Sequence, residues 1–266
     1  MLLAHFFRSG ASLRVQPMWR QCRHWCSVAL LSISLDACQL SGPTSHQPAA
    51  ILLFNGEGTS RHDVAALETL LREHRLAYSK VNSEQLNDMS EAHLAAARLM
   101  IVPGGNYETM GRSLNPNSAR KIHDAVKNNL NYLGICAGAF LAGAVADNGF
   151  DLTSGVRFHF YSAESQGIRK AALAIRDVRG GTLDQYWEDG PELSGFGDVV
   201  ARYPDGMPAV VEGHFGNGWL VLSGVHPEAP PSWRDGMSFQ TPIGVDQAYA
   251  TRLIDAALNR TSLAHD

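Results

Sequence analysis

The sequence predicts an α/β domain in which a parallel sheet is covered by helices on both faces and extended by antiparallel strands. Three observations point there. From residue 50 onward, short apolar runs alternate with stretches of helical periodicity, the pattern of strand and crossover helix. Two apolar runs end in turns that carry reactive side chains, Gly134-Ile135-Cys136-Ala137-Gly138 and Gly224-Val225-His226-Pro227-Glu228. Between residues 151 and 219 the helical period gives way to short alternating runs, as antiparallel additions require.

The elements follow in order. Residues 50–54 form a buried strand candidate, and Ser60, with Asp63 three residues on, reads as the N-cap of a helix that sets Val64, Leu67, Leu70 and Leu71 on one side. A second strand is expected over 77–81 and a helix over 90–98. The third strand, 99–102, ends at Pro103-Gly104-Gly105, which opens a loop through Pro116 before a helix over 119–128. The fourth strand, 132–135, delivers Cys136 to the carboxyl edge of the sheet, where open α/β folds bind ligands. A helix over 137–146 follows. The alternating runs are 157–161, 172–178, 199–203 and 209–212; residues 219–223 return to the main sheet and 247–259 form a closing amphipathic helix. No internal repeat is visible.

At 266 residues, 45% hydrophobic and 18% charged, the chain can bury a full core. Its first 37 residues differ in kind. Arg8, Arg14, Arg20 and Arg23 precede an apolar run over 26–35, and Asp36 is the only acid. A basic region followed by an apolar stretch too short to span a bilayer reads as a secretory signal over 1–37. It ends Leu35-Asp36-Ala37-Cys38, similar to a bacterial lipoprotein cleavage box, which makes Cys38 the lipidated residue, 38–48 a flexible tether and 49–262 the domain. The expected location is then the bacterial periplasm, with a lipid anchor in the membrane. Met18 offers an alternative start, and an organelle transit peptide is the competing reading of the same composition. Export leaves Cys136 as the only free thiol, since Cys22 and Cys26 leave with the signal. Setting aside the four arginines and one aspartate of 1–37 leaves 18 basic and 25 acidic residues of the original 22 and 26. With no basic run in the mature chain, nucleic-acid binding is not expected.

The two reactive turns together supply a nucleophile, a base and an orienter. Gly134 to Gly138 has the form of a nucleophile elbow, a cramped strand-to-helix turn in which small flanking residues relieve crowding. His226 and Glu228, two apart on an extended chain, project to one face, so the carboxylate can orient the imidazole. A lone cysteine beside a strand is usually structural, and a His-Pro-Glu turn alone is unremarkable; their joint occurrence carries the inference.

With these residues the chain resembles the class I glutamine amidotransferase-like superfamily, and most strongly the N-terminal domain of biotin protein ligases. The matching stretches are ILLFNGEGT (51–59), LMIVPGG (99–105), GICAG (134–138), YWEDGP (186–191) and LSGVHPE (222–228). The resemblance implies a three-layer flavodoxin-like fold and a Cys136-His226-Glu228 triad acting through a thioester on a carbon–nitrogen amide bond. For the developing oxyanion it implies the Ala137 N–H and the loop at Gly104 and Gly105. Where Gly224-Val225 stand, amidotransferases proper carry glutamine-phenylalanine, which argues against glutamine as the substrate. The resemblance equally admits a non-catalytic ligand-binding module, since in biotin protein ligases this domain lies beside a separate catalytic one.

Around the triad, Glu57, Asn106 and Tyr186 are candidate contacts for a small-molecule or peptide amide. Gly56-Glu57-Gly58 fails as a dinucleotide fingerprint because Arg61 occupies the third glycine position, and no phosphate-binding lysine loop occurs. No cofactor is implied. His159 and His214 lack a partner at metal-ligand spacing, so no metal site is expected.

Overall fold

The computed structural model describes residues 50–266; the expected signal over 1–37 and the tether with Cys38 lie outside the described residues. The first half alternates as expected: β1 (Ile51–Phe54), α1 (Arg61–Glu73), β2 (Tyr78–Val81), α2 (Ser83–Asp88), α3 (Glu91–Ala96), β3 (Leu99–Val102), α4 (Tyr107–Ser113), α5 (Pro116–Asn128), β4 (Asn131–Ile135) and α6 (Ala137–Ala142). The second half is built of β5 (His159–Phe160), β6 (Lys170–Asp177), β7 (Thr182–Glu188), β8 (Pro191–Glu192), β9 (Asp198–Arg202), β10 (Pro208–Phe215) and β11 (Gly218–Ser223), closed by α7 (Ile243–Asn259).

Nine strands form one sheet in the order β2-β1-β3-β4-β11-β10-β9-β6-β7. The stretch from β2 to β11 is parallel, and its β2-β1-β3-β4 order is that of flavodoxin-like folds. From β11 onward neighbours are antiparallel. Strand alternation sorts the core into two layers: Ile51 and Leu53 pack with Leu67 and Leu71 of α1 and Leu253 of α7, whereas Leu52 and Phe54 pack with Ile122 of α5 and Phe140 of α6 on the other face. The fold is therefore the three-layer α/β fold expected.

Several boundaries differ from the sequence reading, each for a local reason. Asn82 and Gln85 close a reciprocal capping box that starts α2 where no helix was expected. The loop over 103–116 contains α4, whose Thr109 N–H donates to the Asn106 side chain at 2.8 Å. Helix α5 starts at Pro116 rather than 119, because Asn115 caps Ser118 at 2.8 Å and proline is preorganised for the first helical position. Helix α6 ends at Ala142, four residues early, where Gly143 leaves the helix with extended backbone. The strand expected over 157–161 shrinks to the two residues of β5, and the unexpected β7 forms the sheet edge.

Candidate active site

Parallel register brings the two reactive turns together. In the β4–β11 pair Ile135 lies opposite Ser223, so Cys136 and the Gly224–Glu228 turn leave the sheet side by side at its carboxyl edge. The Cys136 N–H donates to the Ser223 carbonyl at 2.7 Å and ties the elbow to the neighbouring strand. Cys136 itself has φ 49° and ψ −102°, a conformation costly to a residue with a Cβ. The flanking glycines make this turn possible. A Cβ on Gly138 would lie 2.0 Å from the Val102 carbonyl oxygen, and one on Gly134 would lie 2.6 Å from that of Gly138.

The second turn is equally crowded. A Cβ on Gly224 would lie 2.1 Å from the Pro191 carbonyl oxygen and 2.3 Å from the Tyr203 hydroxyl, so no glutamine fits there in this packing. His226 is 4% exposed, and its Nδ1 lies 3.0 Å from Glu228 Oε1, in hydrogen-bond range. Its ring meets Trp233 edge to face, with centroids 5.6 Å apart. Cys136 and His226 both line one cavity of about 580 Å³. They form no hydrogen bond with each other; Cys136 Sγ instead faces the Glu188 carbonyl oxygen at 3.5 Å.

Asp63 is the member that sequence reasoning missed. It reads there as an unremarkable first-turn acid of α1, and Ser60 does accept its backbone N–H at 3.3 Å. Its side chain, however, turns inward, 1% exposed, and Oδ1 lies 3.2 Å from His226 Nδ1. Burial opposes the imidazolium, but Asp63, Cys136 and Glu228 together raise the His226 pKa well above the ordinary histidine value. Burial also pushes the Glu228 carboxyl up to about 7, against the lowering effect of His226 and with Asp63 adding to the rise. Asp63, His226 and Glu228 are the one group among the described residues with ligand-type atoms so close, within 4.8 Å. Both carboxylates approach the same ring nitrogen, Glu228 through a hydrogen bond and Asp63 at ion-pair distance, so the cluster has the form of a proton-holding set.

The loops complete the cavity. Ser60 N–H donates to the Gly104 carbonyl and Asn106 N–H to the Gly58 carbonyl, both at 2.9 Å, which fixes 103–106 beside the elbow. Gly105 and Ala137 line the cavity, and neither N–H has a backbone acceptor. Gly104 does not line it: it is buried between Asp63 and His226. Asn106 and Tyr186 reach the wall, whereas Glu57 is exposed and outside it, with its N–H held by Ser83 Oγ at 3.0 Å. Trp233, Phe160 and Arg169 also line the cavity and escaped the sequence reading, because no spacing marks an aromatic or cationic wall contributed by separate loops.

Comparison with known proteins agrees with this architecture. Residues 49–172 match the family described as "Biotin-protein ligase, N terminal". The chain is 27% identical over 208 residues to a biotin–protein ligase of Schizosaccharomyces pombe, covering 67% of this chain and 33% of that one. It thus spans about a third of that ligase's length. An uncharacterized protein of Chlamydia muridarum is 27% identical over 213 residues, covering 69% of this chain and 82% of its own. Among solved structures, the exo-β-1,4-mannosidase Op5Man5 from an Opitutaceae bacterium superposes with a TM-score of 0.50 at 16% identity, over 82% of this chain and 37% of that one, a likeness of fold alone.

Proposed function

We propose that this α/β domain, which matches the family described as "Biotin-protein ligase, N terminal" over residues 49–172, is a class I glutamine amidotransferase-like, cysteine-dependent enzyme that cleaves a carbon–nitrogen amide bond. The observation that carries this is the hydrogen bond of a buried His226 to Glu228, 3.0 Å long, on the wall of the cavity that the strained Cys136 also lines. The Cys136 sulfur, its proton passed to His226, attacks the amide carbon, and the carbonyl electron pair moves onto oxygen. The donors assigned to that oxygen are the Gly105 and Ala137 N–H groups, which line the cavity without a backbone acceptor, and one such donor is worth about 3 kcal/mol. The oxyanion collapses, the C–N bond breaks, and His226 gives its proton to the leaving nitrogen. Water then adds to the thioester, passing a proton to His226, and the sulfur leaves. Glu228 holds the ring throughout.

A screen of small amide and peptide-amide substrates against the purified protein tests this reading. Turnover lost in Cys136→Ala supports it; turnover unchanged in that variant ends the thioester mechanism.

One contact favours a second reading, a ligand-binding module. Cys136 Sγ points to the Glu188 carbonyl rather than to His226, and a binding domain has no need of a nucleophile. Saturable ligand binding by a wild-type protein that turns over no amide would select it. For the N-terminal segment we propose export and lipid anchoring at Cys38; no helix among the described residues is long and apolar enough to cross a membrane.

A further inference from the structure

Two carboxylates stand behind the imidazole where one would orient it. Asp63 reaches His226 Nδ1 from α1 at 3.2 Å, and Glu228 reaches the same nitrogen from its own turn at 3.0 Å. Both acids are 1% exposed, and Asp63 Oδ1 and Glu228 Oε2 have no hydrogen-bond partner of their own. Leaving a buried carboxylate oxygen unsatisfied costs free energy unless a positive charge lies beside it. The approach is built into the backbone: a Cβ on Gly104 would lie 2.5 Å from Asp63 Oδ2 and 2.6 Å from His226 Cε1, so only glycine leaves room for the two to meet.

We propose that Asp63 is a positioning residue, whose carboxylate clamps the His226 ring together with Glu228 and keeps it protonated, ready to give up a proton. This rests on the role assigned to His226 above. The charged and titratable groups that face the ring come from four elements. They are Asp63 from α1, Cys136 from the elbow, Glu228 from its own turn, and Tyr186 from β7, whose hydroxyl is committed to Glu188 Oε2 at 2.6 Å. Of these charges, Asp63 does most to raise the pKa of the imidazole. Burial raises the pKa of the Glu228 carboxyl and so opposes its negative charge. A proton on Nδ1 serves the hydrogen bond to Glu228 beside the Asp63 carboxylate, which leaves Nε2 to exchange a proton with the sulfur or the leaving nitrogen.

The test reads the ring directly. In full-length protein labelled with 15N-histidine, the His226 signals, assigned by their loss in His226→Gln, should remain those of an imidazolium at pH 7. In Asp63→Asn the titration midpoint should fall by about one pH unit or more, a tenfold change in the protonation equilibrium, and by more than in Glu228→Gln. Midpoints that superimpose in wild type and Asp63→Asn would overturn the proposal. So would a neutral ring in wild type at pH 7, a result that needs no variant to fold. A second readout follows Cys136 alkylation by iodoacetamide against pH, with Cys22, Cys26 and Cys38 changed to serine. Asp63→Asn should shift that profile, whereas a merely structural aspartate would leave it in place. Neither measurement requires turnover, so a shifted midpoint in a protein that cleaves no amide would fail the hydrolase reading alone.

Discussion

The His226 N–H donates to the Tyr186 carbonyl at 2.8 Å, the bridge by which the turn after β11 is pinned to the edge strand β7. The Tyr186 ring then packs on both His226 and Trp233, with centroids 5.8 and 5.0 Å away. The backbone bridge survives any substitution, but the packing does not. Tyr186→Ala should cost about 3 kcal/mol in urea unfolding, in the range for truncating a buried aromatic. Tyr186→Phe, which loses only the bond to Glu188, should cost about 1 kcal/mol.

The elbow glycines are a matter of space. Gly138→Ala places a methyl 2.0 Å from the Val102 carbonyl oxygen, and the backbone around Cys136 must shift to admit it. A loss of about 1–3 kcal/mol is expected, as for an overpacked core. Gly244, in the first turn of α7, is open: a methyl added there would meet nothing within 4 Å. At that position alanine should stabilise by about 0.5–1 kcal/mol through helix propensity. Urea unfolding of the two variants side by side checks both signs.

Much of this was legible in the sequence for a physical reason. The parallel strands are continuous apolar runs, and the elbow needs glycines at fixed offsets, so both leave marks in a single sequence. That Cys136 and His226 line one cavity depends on β4 and β11 being neighbours in the sheet, an adjacency the sequence alone does not give. Asp63 was not legible, because nothing in a first-turn aspartate tells whether its side chain caps its own helix or turns toward a strand end across the sheet. Strand β7 was hidden as well: Gln185, Tyr186 and Trp187 are all buried, so no alternation appears. Glu57, singled out for its glycine neighbours, sits on the exposed rim because Gly56 and Gly58 serve the loop's own close contacts with Phe54 and Met110.

Asp246 gives a pH dependence outside the cavity. It accepts from Gln185 Nε2 at 2.7 Å and lies 3.4 Å from Arg234 NH1; burial outweighs that cation and pushes its carboxyl up to about 7. A folded-state value above the unfolded one means that the native protein holds a proton the unfolded chain has released. The associated stability is therefore present at pH 4 and lost as pH rises toward 7. Asp246→Asn should flatten this part of the stability profile, by roughly 1–3 kcal/mol between pH 4 and 8. Urea unfolding of both proteins at several pH values is the measurement, and parallel profiles would contradict it.

The proposed anchor rests on residues outside the described domain. Cys38→Ser should abolish palmitate labelling and release the protein from membranes. Unchanged membrane retention, or an intact N-terminus by mass spectrometry, would remove the lipoprotein reading without touching the cavity.

Cys136 joins strain to chemistry, and the two separate by substitution. At φ 49° and ψ −102° any residue with a Cβ is held off its preferred backbone, at about 1–3 kcal/mol. Glycine relieves that strain but gains freedom in the unfolded chain, which returns up to about 1 kcal/mol. Cys136→Gly should therefore be more stable than Cys136→Ala by about 1 kcal/mol, and both should lack turnover on any amide the wild type cleaves. Equal stabilities would mean that the elbow relaxes when the sulfur is removed, so that the conformation is imposed by the cysteine's own contacts rather than by Gly134, Gly138 and the Ser223 carbonyl.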